Sequence, residues 1–192
     1  MSLPPTKPKN AARRSREYLT EPEVETLGKA AGKLGRHGHR DSTLILLGFR
    51  HGLRVGELIE LRWDQVDLDG AALHVRRLKG GTPATHPLTG RELRALRKLR
   101  RDFPDGPYLF VSERGGPVTD SAVRKLIARA GEAAGLELPV HPHMLRHACG
   151  YYLANKGTDT RAIQAYLGHR SIQHTVRYTE LAPGRFEGFW GD

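Results

Sequence analysis

Four short clusters hold the residues that could act on a phosphate. In VHPHMLRHACG, His143 and Arg146 stand three apart, so a helix would carry them on one face, with His141 and His147 close by. A guanidinium offers a planar fork for two phosphate oxygens, and an imidazole beside it adds a further donor. Imidazoles at helical spacing also bind zinc, and His37, His39 and His51 enlarge that pool. Against zinc, no HExxH occurs, and an arginine inside the cluster would repel a divalent cation. A helix that is merely rich in histidine is the third reading of this segment.

In YLGHRSIQHTVRYTEL, His169 follows Gly168 at a helix end, and Tyr178 comes nine residues after His169. A phenol with pKa about 10 is a poor nucleophile at neutral pH. It becomes a useful one where cations favour the phenolate or a base takes its proton. A buried anchoring tyrosine is the structural alternative. In RHGLRVGELIEL, Gly52 can end a helix and Arg54 stands at the entrance of the next, with Glu57 three residues on. That pair reads either as a helix-end ion pair or as a second phosphate fork oriented by a carboxylate. Lys79 in RRLKGG falls at a hairpin tip, where a lysine is either solvated or reaches into a DNA groove.

Composition bounds the partners. The chain has 192 residues, with 31 Lys+Arg against 21 Asp+Glu, a formal net charge of +10. Such an excess calls for a polyanion: nucleic acid, an acidic membrane surface or an acidic protein. The longest apolar run, Leu44–Phe49, is far too short to span a bilayer, and the polar, Pro-rich start does not read as a signal peptide. One cysteine, Cys149, excludes an intrachain disulfide and a cysteine-built zinc site, and fits a reducing compartment. Neither GxGxxG nor GxxxxGK[ST] occurs, so no nucleotide cofactor is expected.

The elements that must position these clusters are mainly α, with one small antiparallel sheet, an α+β class. Residues 1–18 read as a disordered basic arm. Thr20, Pro22 and Glu23 signal a capped helix running to about Leu34. Asp41 is expected to cap a second helix ending at Gly52, and a third is expected over Val55–Arg62. Alternation with DG and GG turns predicts a three-stranded meander near 66–69, 72–78 and 83–87. Leu93, Leu96 and Leu99 mark a helix over Thr89–Arg101. Tyr108–Ser112 reads as extended. Further helices are expected from Thr119 or Asp120 to Ala134, over His143–Lys156, from Asp159 to Gly168, and from Ser171 through Tyr178. The absence of βαβ alternation argues against a Rossmann or P-loop architecture.

Together, RHGLRVGEL, RRLKGG, HPHMLRH and YLGHRSIQHTVRY resemble the catalytic domain of the tyrosine recombinase (phage integrase) family, from about residue 20 to residue 182. The likeness is greatest to the short fimbrial-switch DNA invertases, through LILLGFRHGLR, RRLKGGTPATHPL and HPHMLRHACGY. The resemblance implies domain bounds of 19–182, with 183–192 a tail that contacts either its own domain or a neighbouring protomer. It implies that Tyr178 attacks the scissile phosphate to form a 3′-phosphotyrosyl link, that Arg54 and Arg146 grip the non-bridging oxygens, and that Lys79 protonates the leaving 5′ oxygen. His143 would take the tyrosine proton or bind the phosphate, His169 would donate to a non-bridging oxygen, and Glu57 would orient. Arg76, Arg77, Arg124, Lys125 and Arg129 are the expected DNA contacts, with the Thr119–Ala134 helix either a major-groove reader or a solvent-facing basic helix.

No metal, cofactor or ATP is called for, because two arginines and a lysine can neutralise the charge and the covalent link keeps the phosphodiester energy. The implied partner is double-stranded DNA with inverted-repeat sites, bound by a homo-tetramer that is monomeric or weakly associated without DNA, with accessory DNA-bending proteins and no membrane. The implied location is the bacterial cytoplasm, associated with the nucleoid. Set against full-length integrases, the resemblance leads one to expect that the upstream helical domain completing a DNA clamp is lacking. A non-catalytic DNA-binding regulator of the same fold, and type IB topoisomerase-like relaxation, are the competing functions.

Overall fold

The computed structural model describes residues 17–78 and 80–180. The basic arm up to Arg16, Lys79 and the tail from Leu181 lie outside the described residues. Helix α1 (Glu21–Lys33) opens at the expected Thr20–Glu23 pair: the Thr20 amide and hydroxyl donate to Glu23 Oε2 at 2.7 and 2.8 Å. Val24, Leu27 and Ala31 form its buried stripe, at the three- and four-residue spacing of one helix face.

Helix α2 (Gly38–Arg50) begins a turn earlier than expected, after His37, and Asp41 does not cap it. Asp41 Oδ1 instead accepts from Arg40 Nε at 2.8 Å, inside the first turn. Helix α3 (Val55–Ile59) is shorter than the expected Val55–Arg62, because the chain turns out after Leu61 to bridge Arg62 to Tyr108. Strands β1 (Val66–Asp67), β2 (Ala72–Val75) and β3 (Ala84–Pro87) form the antiparallel meander in that order, with Leu73 opposite His86 and Val75 opposite Ala84. The strands are shorter than the alternation predicts, for local reasons. Asp67 Oδ1 accepts the Asp69 and Gly70 amides at 3.1 and 2.7 Å, which turns the chain out of β1. Arg77 turns inward after β2, as described below.

Thr89 caps α4 (Gly90–Asp102), its amide 2.9 Å from Glu92 Oε2. Residues 108–112 are extended only through single bridges, Arg62 to Tyr108 and Val111 to Pro117. Thr119 caps α5 (Asp120–Ala133), accepting the Ala122 amide at 3.1 Å. Pro142 occupies the first turn of α6 (Pro142–Asn155). Asp159 accepts two amides to open α7 (Thr160–Leu167), Gly168 closes it, and α8 (Gln173–Glu180) follows.

Helix α2 is central: it packs on α1, α4 and α6, and Leu44 and Leu47 within it are fully buried. Helices α7 and α8 pack on each other and on α6. The core therefore holds the 51–54 turn, the inner face of α6, the end of α7 and the start of α8 in fixed relation. Among the described residues no helix is long and apolar enough to cross a membrane.

Candidate active site

Three of the four clusters converge where α2 ends. Arg146, on the second turn of α6, is only 1 % exposed. Its guanidinium bridges two backbone carbonyls: Nη1 donates to Gly52 O and Nη2 to Leu167 O at 2.8 Å. One side chain thus ties the 51–54 turn to the end of α7. Burial, then the nearby charges of Arg54 and Arg77, bring its pKa down to about 10, so it stays cationic at neutral pH.

Arg54 stands at the mouth of α3, half-buried. Its Nη1 donates to Glu57 Oε1 at 2.8 Å, and its amide donates to Glu57 Oε2 at 3.0 Å. The carboxylate thus caps the helix and holds the guanidinium, the helix-end ion pair of the sequence reading. Glu57 is buried and serves four donors, the others being Arg77 Nη1 at 2.9 Å and the Leu78 amide at 3.3 Å. Burial alone would raise its pKa; the Arg54 amide and the Arg77 charge outweigh burial and hold it below the usual carboxylate value.

Arg77 is a correction to the sequence reading. Its side chain is 0 % exposed, so it does not face DNA. Besides Glu57, it donates to His51 O at 3.2 Å, Gly52 O at 3.4 Å and Tyr166 O at 2.5 Å. This inward turn is what ends β2 at Val75 rather than at 78. Gly168, at φ +66°, lies against it: a Cβ there would come within 2.7 Å of Arg77 Cγ. Only glycine combines that backbone with that approach. The loop carrying His169 is thereby fastened to the same keystone as Arg54.

His169 is half-buried, with Nδ1 2.8 Å from Thr175 Oγ1. Burial, then Arg146 and Arg54, push its pKa to about 3. Its ring is stacked toward that of Tyr178 at 6.3 Å between centroids. Tyr178, on the inner face of α8, is 1 % exposed, and burial raises its pKa even though Arg177 and Arg146 oppose the rise. Gly150 makes room for it: a Cβ on Gly150 would lie 2.6 Å from Tyr178 Cε2. The phenol is hydrogen-bonded to His147 Nδ1 at 2.9 Å.

His143 lies on the exposed face of α6, edge-on to the His147 ring at 4.4 Å. Desolvation, then Arg146, lowers its pKa. Sequence reasoning placed His147 nearby but gave it no role. The available signal was its spacing: 147, 150 and 151 share one face of a helix, the face that carries Tyr178. Arg76 is exposed and 3.4 Å from Asp64 Oδ2. Arg124, Lys125 and Arg129 lie exposed on α5, with Arg124 paired to Asp120 one turn back.

Two buried arginines, a half-exposed one, two histidines and a tyrosine around a single turn, on a mainly helical domain with a short meander, define the catalytic domain of a tyrosine-type DNA recombinase. The chain belongs to the phage integrase family, whose description matches residues 17–185. It is 45 % identical over 185 residues to the type 1 fimbriae regulatory protein FimB of Escherichia coli K12, covering 94 % of this chain and 92 % of FimB. The regulatory protein FimE of the same strain is 43 % identical over 181 residues, covering 91 % of each chain. The crystal structure of XerA recombinase superposes with a TM-score of 0.77 at 30 % identity, over 97 % of this chain and 65 % of XerA, so the chain spans about two thirds of that protein's length. A lambda integrase fragment bound to a core DNA site matches at 0.68 and 26 % identity, over 86 % of this chain and 63 % of that one. The activity that goes with this membership is site-specific DNA recombination.

Proposed function

We propose that Tyr178 is the nucleophile of a DNA strand exchange, attacking a phosphodiester to give a 3′-phosphotyrosyl link and a free 5′-hydroxyl. The observation that carries this reading is the convergence of Arg54, Arg146, His169 and Tyr178 around the Gly52 turn. Arg54 and Arg146 would hold the non-bridging oxygens and stabilise the charge that builds in the pentacoordinate transition state. His169 would donate to one of those oxygens. Lys79 would protonate the leaving 5′ oxygen, and the link would be resolved by a second 5′-hydroxyl without ATP. His143, on the exposed face, suits contact with the DNA phosphate.

The partner is double-stranded DNA. Exchange needs two duplexes and two cuts in each, so a tetramer forms on paired inverted-repeat sites, helped by DNA-bending proteins, in a bacterial cytoplasm at the nucleoid. Arg76, Arg124, Lys125 and Arg129 are the exposed cations offered to the duplex, with α5 the groove reader. The apolar tail from residue 183 would dock on a neighbouring protomer.

The test is incubation with a nicked suicide duplex carrying the inverted repeats, followed by denaturing electrophoresis and peptide mapping. A covalent adduct on Tyr178, and exchanged rather than merely relaxed products from a two-site plasmid, are expected. DNA binding with no adduct at all would make the chain a non-catalytic regulator. Relaxed circles alone would make it a topoisomerase.

A further inference from the structure

We propose that His147 is the group that takes the proton from Tyr178 as the phenol attacks, one of the two roles the family resemblance implies for His143. The proposal rests on the reading of Tyr178 as the nucleophile. Its basis is geometric. His147 Nδ1 is 2.9 Å from Tyr178 Oη, within the reach a general base needs. Both side chains are enclosed, at 7 % and 1 % exposure. The contact is built into α6: His147, Gly150 and Tyr151 share one helix face, where Gly150 leaves space for the phenol ring and Tyr151 meets it edge-on at 5.0 Å between centroids. His143 stands one turn further out, on the exposed side, and touches the His147 ring instead.

The titratable and charged groups around His147 are His141, His143 and Arg146 at the start of α6, and Arg177 with Tyr178 from α8. Burial, then His143, Arg177, Arg146 and His141, drive its pKa down to about 3, so the ring is neutral at physiological pH. With the ring proton on Nε2, the Nδ1 lone pair accepts the phenolic hydrogen. Burial likewise raises the pKa of Tyr178, so its proton stays on Oη while the site holds no DNA. A phosphodiester held between Arg54 and Arg146 brings a negative charge beside His147. That charge opposes the cations that suppress imidazolium and favours transfer only when substrate is present.

The step balances. The Oη–H bond breaks and its proton moves to Nδ1, while Oη bonds to phosphorus. The P–O5′ bond breaks, its electron pair goes to O5′, and that oxygen takes the proton of Lys79. Imidazolium and neutral lysine result, and the reverse attack by a 5′-hydroxyl restores both.

The experiment uses the full chain and a nicked suicide duplex under single-turnover conditions, with His147→Ala and His147→Asn beside the unaltered protein. Melting temperature and duplex affinity are measured on each, and adducts are mapped. Cleavage by the alanine variant is expected to fall by about 100-fold or more, the scale of general-base catalysis. Millimolar imidazole is expected to restore much of that loss. The asparagine variant, which can still hydrogen-bond the phenol, is expected to stay slow. In both variants the rate should climb with pH from 6 to 9, where the unaltered protein levels off. These outcomes support proton transfer, since a purely structural role gives neither imidazole rescue nor an altered pH profile. Should the alanine variant unfold, the asparagine rate and its pH profile decide. An asparagine variant as fast as the unaltered protein, or an alanine variant within threefold of it with its adduct on Tyr178, would overturn the proposal. An adduct on any residue other than Tyr178 in the unaltered protein would overturn the nucleophile reading as well, so the two failures are distinguishable.

Discussion

Arg77 and Glu57 form a buried ion pair, Nη1 to Oε2 at 2.9 Å, and Nη1 and Nη2 of the arginine also hold backbone carbonyls of the Gly52 turn and α7. The pair therefore acts on two parts of the site at once. Glu57 aims Arg54, and Arg77 fixes the loop that carries His169. Neither side chain reaches the surface where DNA would lie.

Removing one member of such a pair leaves the other buried and uncompensated, which typically costs about 3–5 kcal/mol. Arg77→Ala is expected to lose stability on that scale and to lose cleavage with it, because Arg54 and His169 go slack together. Urea unfolding and single-turnover cleavage check this. A stable variant that fails only in DNA affinity would return Arg77 to the surface role that its basic neighbourhood advertises.

The pH dependence of the same pair has a definite sign. The folded pKa of Glu57 lies below the ordinary glutamate value of 4.5. Its ionisation therefore contributes stability that is fully present above 4.5 and is lost as pH falls through the folded value. Compared with Glu57→Gln, the unaltered protein should lose its stability advantage on acidification from pH 5 downward. Urea midpoints of both proteins at pH 7, 5, 4 and 3 give the comparison; a constant difference would mean that folding leaves the pKa of Glu57 unchanged.

How far the sequence leads depends on how local the cause is. Caps at Thr20, Thr119 and Asp159 need only three or four residues of context, and each is formed as the pattern indicates. The meander was legible because strand alternation and turn residues are local too. Arg77 was misread because RRLK is a basic run by any local criterion; what buries it is Glu57, twenty residues earlier, together with carbonyls of α2's end and α7. The partner of the Tyr178 phenol was hidden for a similar reason. The sequence offers His141, His143 and His147 within seven positions, and only the packing of α8 on α6 selects among them.

Gly150→Ala would put a methyl group 2.6 Å from the Tyr178 ring. Overpacking of this kind costs about 1–3 kcal/mol. The expected consequence is a lower melting temperature and a Tyr178 pushed outward, so that tetranitromethane nitrates it where the unaltered protein resists. Equal nitration of Tyr178 in both proteins would mean that α8 already leaves α6 readily in solution.

The two arginines of the site should separate by stability. Arg146 is enclosed and holds two carbonyls, so Arg146→Ala orphans buried acceptors at about 1–3 kcal/mol each. Arg54 is half-exposed, and its loss leaves Glu57 still paired with Arg77. Arg54→Ala is therefore expected to fold well and bind DNA nearly as before, yet to lose about 3–4 kcal/mol of transition-state stabilisation, the scale of an oxyanion donor. Melting curves, duplex affinity and cleavage rates on both variants check the split. Equal losses in affinity and rate for Arg54→Ala would make it an ordinary backbone clamp.

Lys79 is the one proposed participant whose role rests on sequence alone, and its chemistry is testable without its position. An alkoxide leaving group needs a proton as the P–O5′ bond breaks, whereas a thiolate, from a thiol with pKa roughly 8–9, leaves without one. Lys79→Ala should therefore slow cleavage of an ordinary duplex by about 100-fold or more. It should recover close to the unaltered rate on a duplex with sulfur at the bridging 5′ position of the scissile phosphate. Arg54→Ala serves as the control, because its contact is to non-bridging oxygens and sulfur at the bridge does not replace it. Rescue of Lys79→Ala with no rescue of Arg54→Ala would place the proton with the lysine. Failure to rescue Lys79→Ala would remove it from the acid role and leave it as one more cation beside the phosphate.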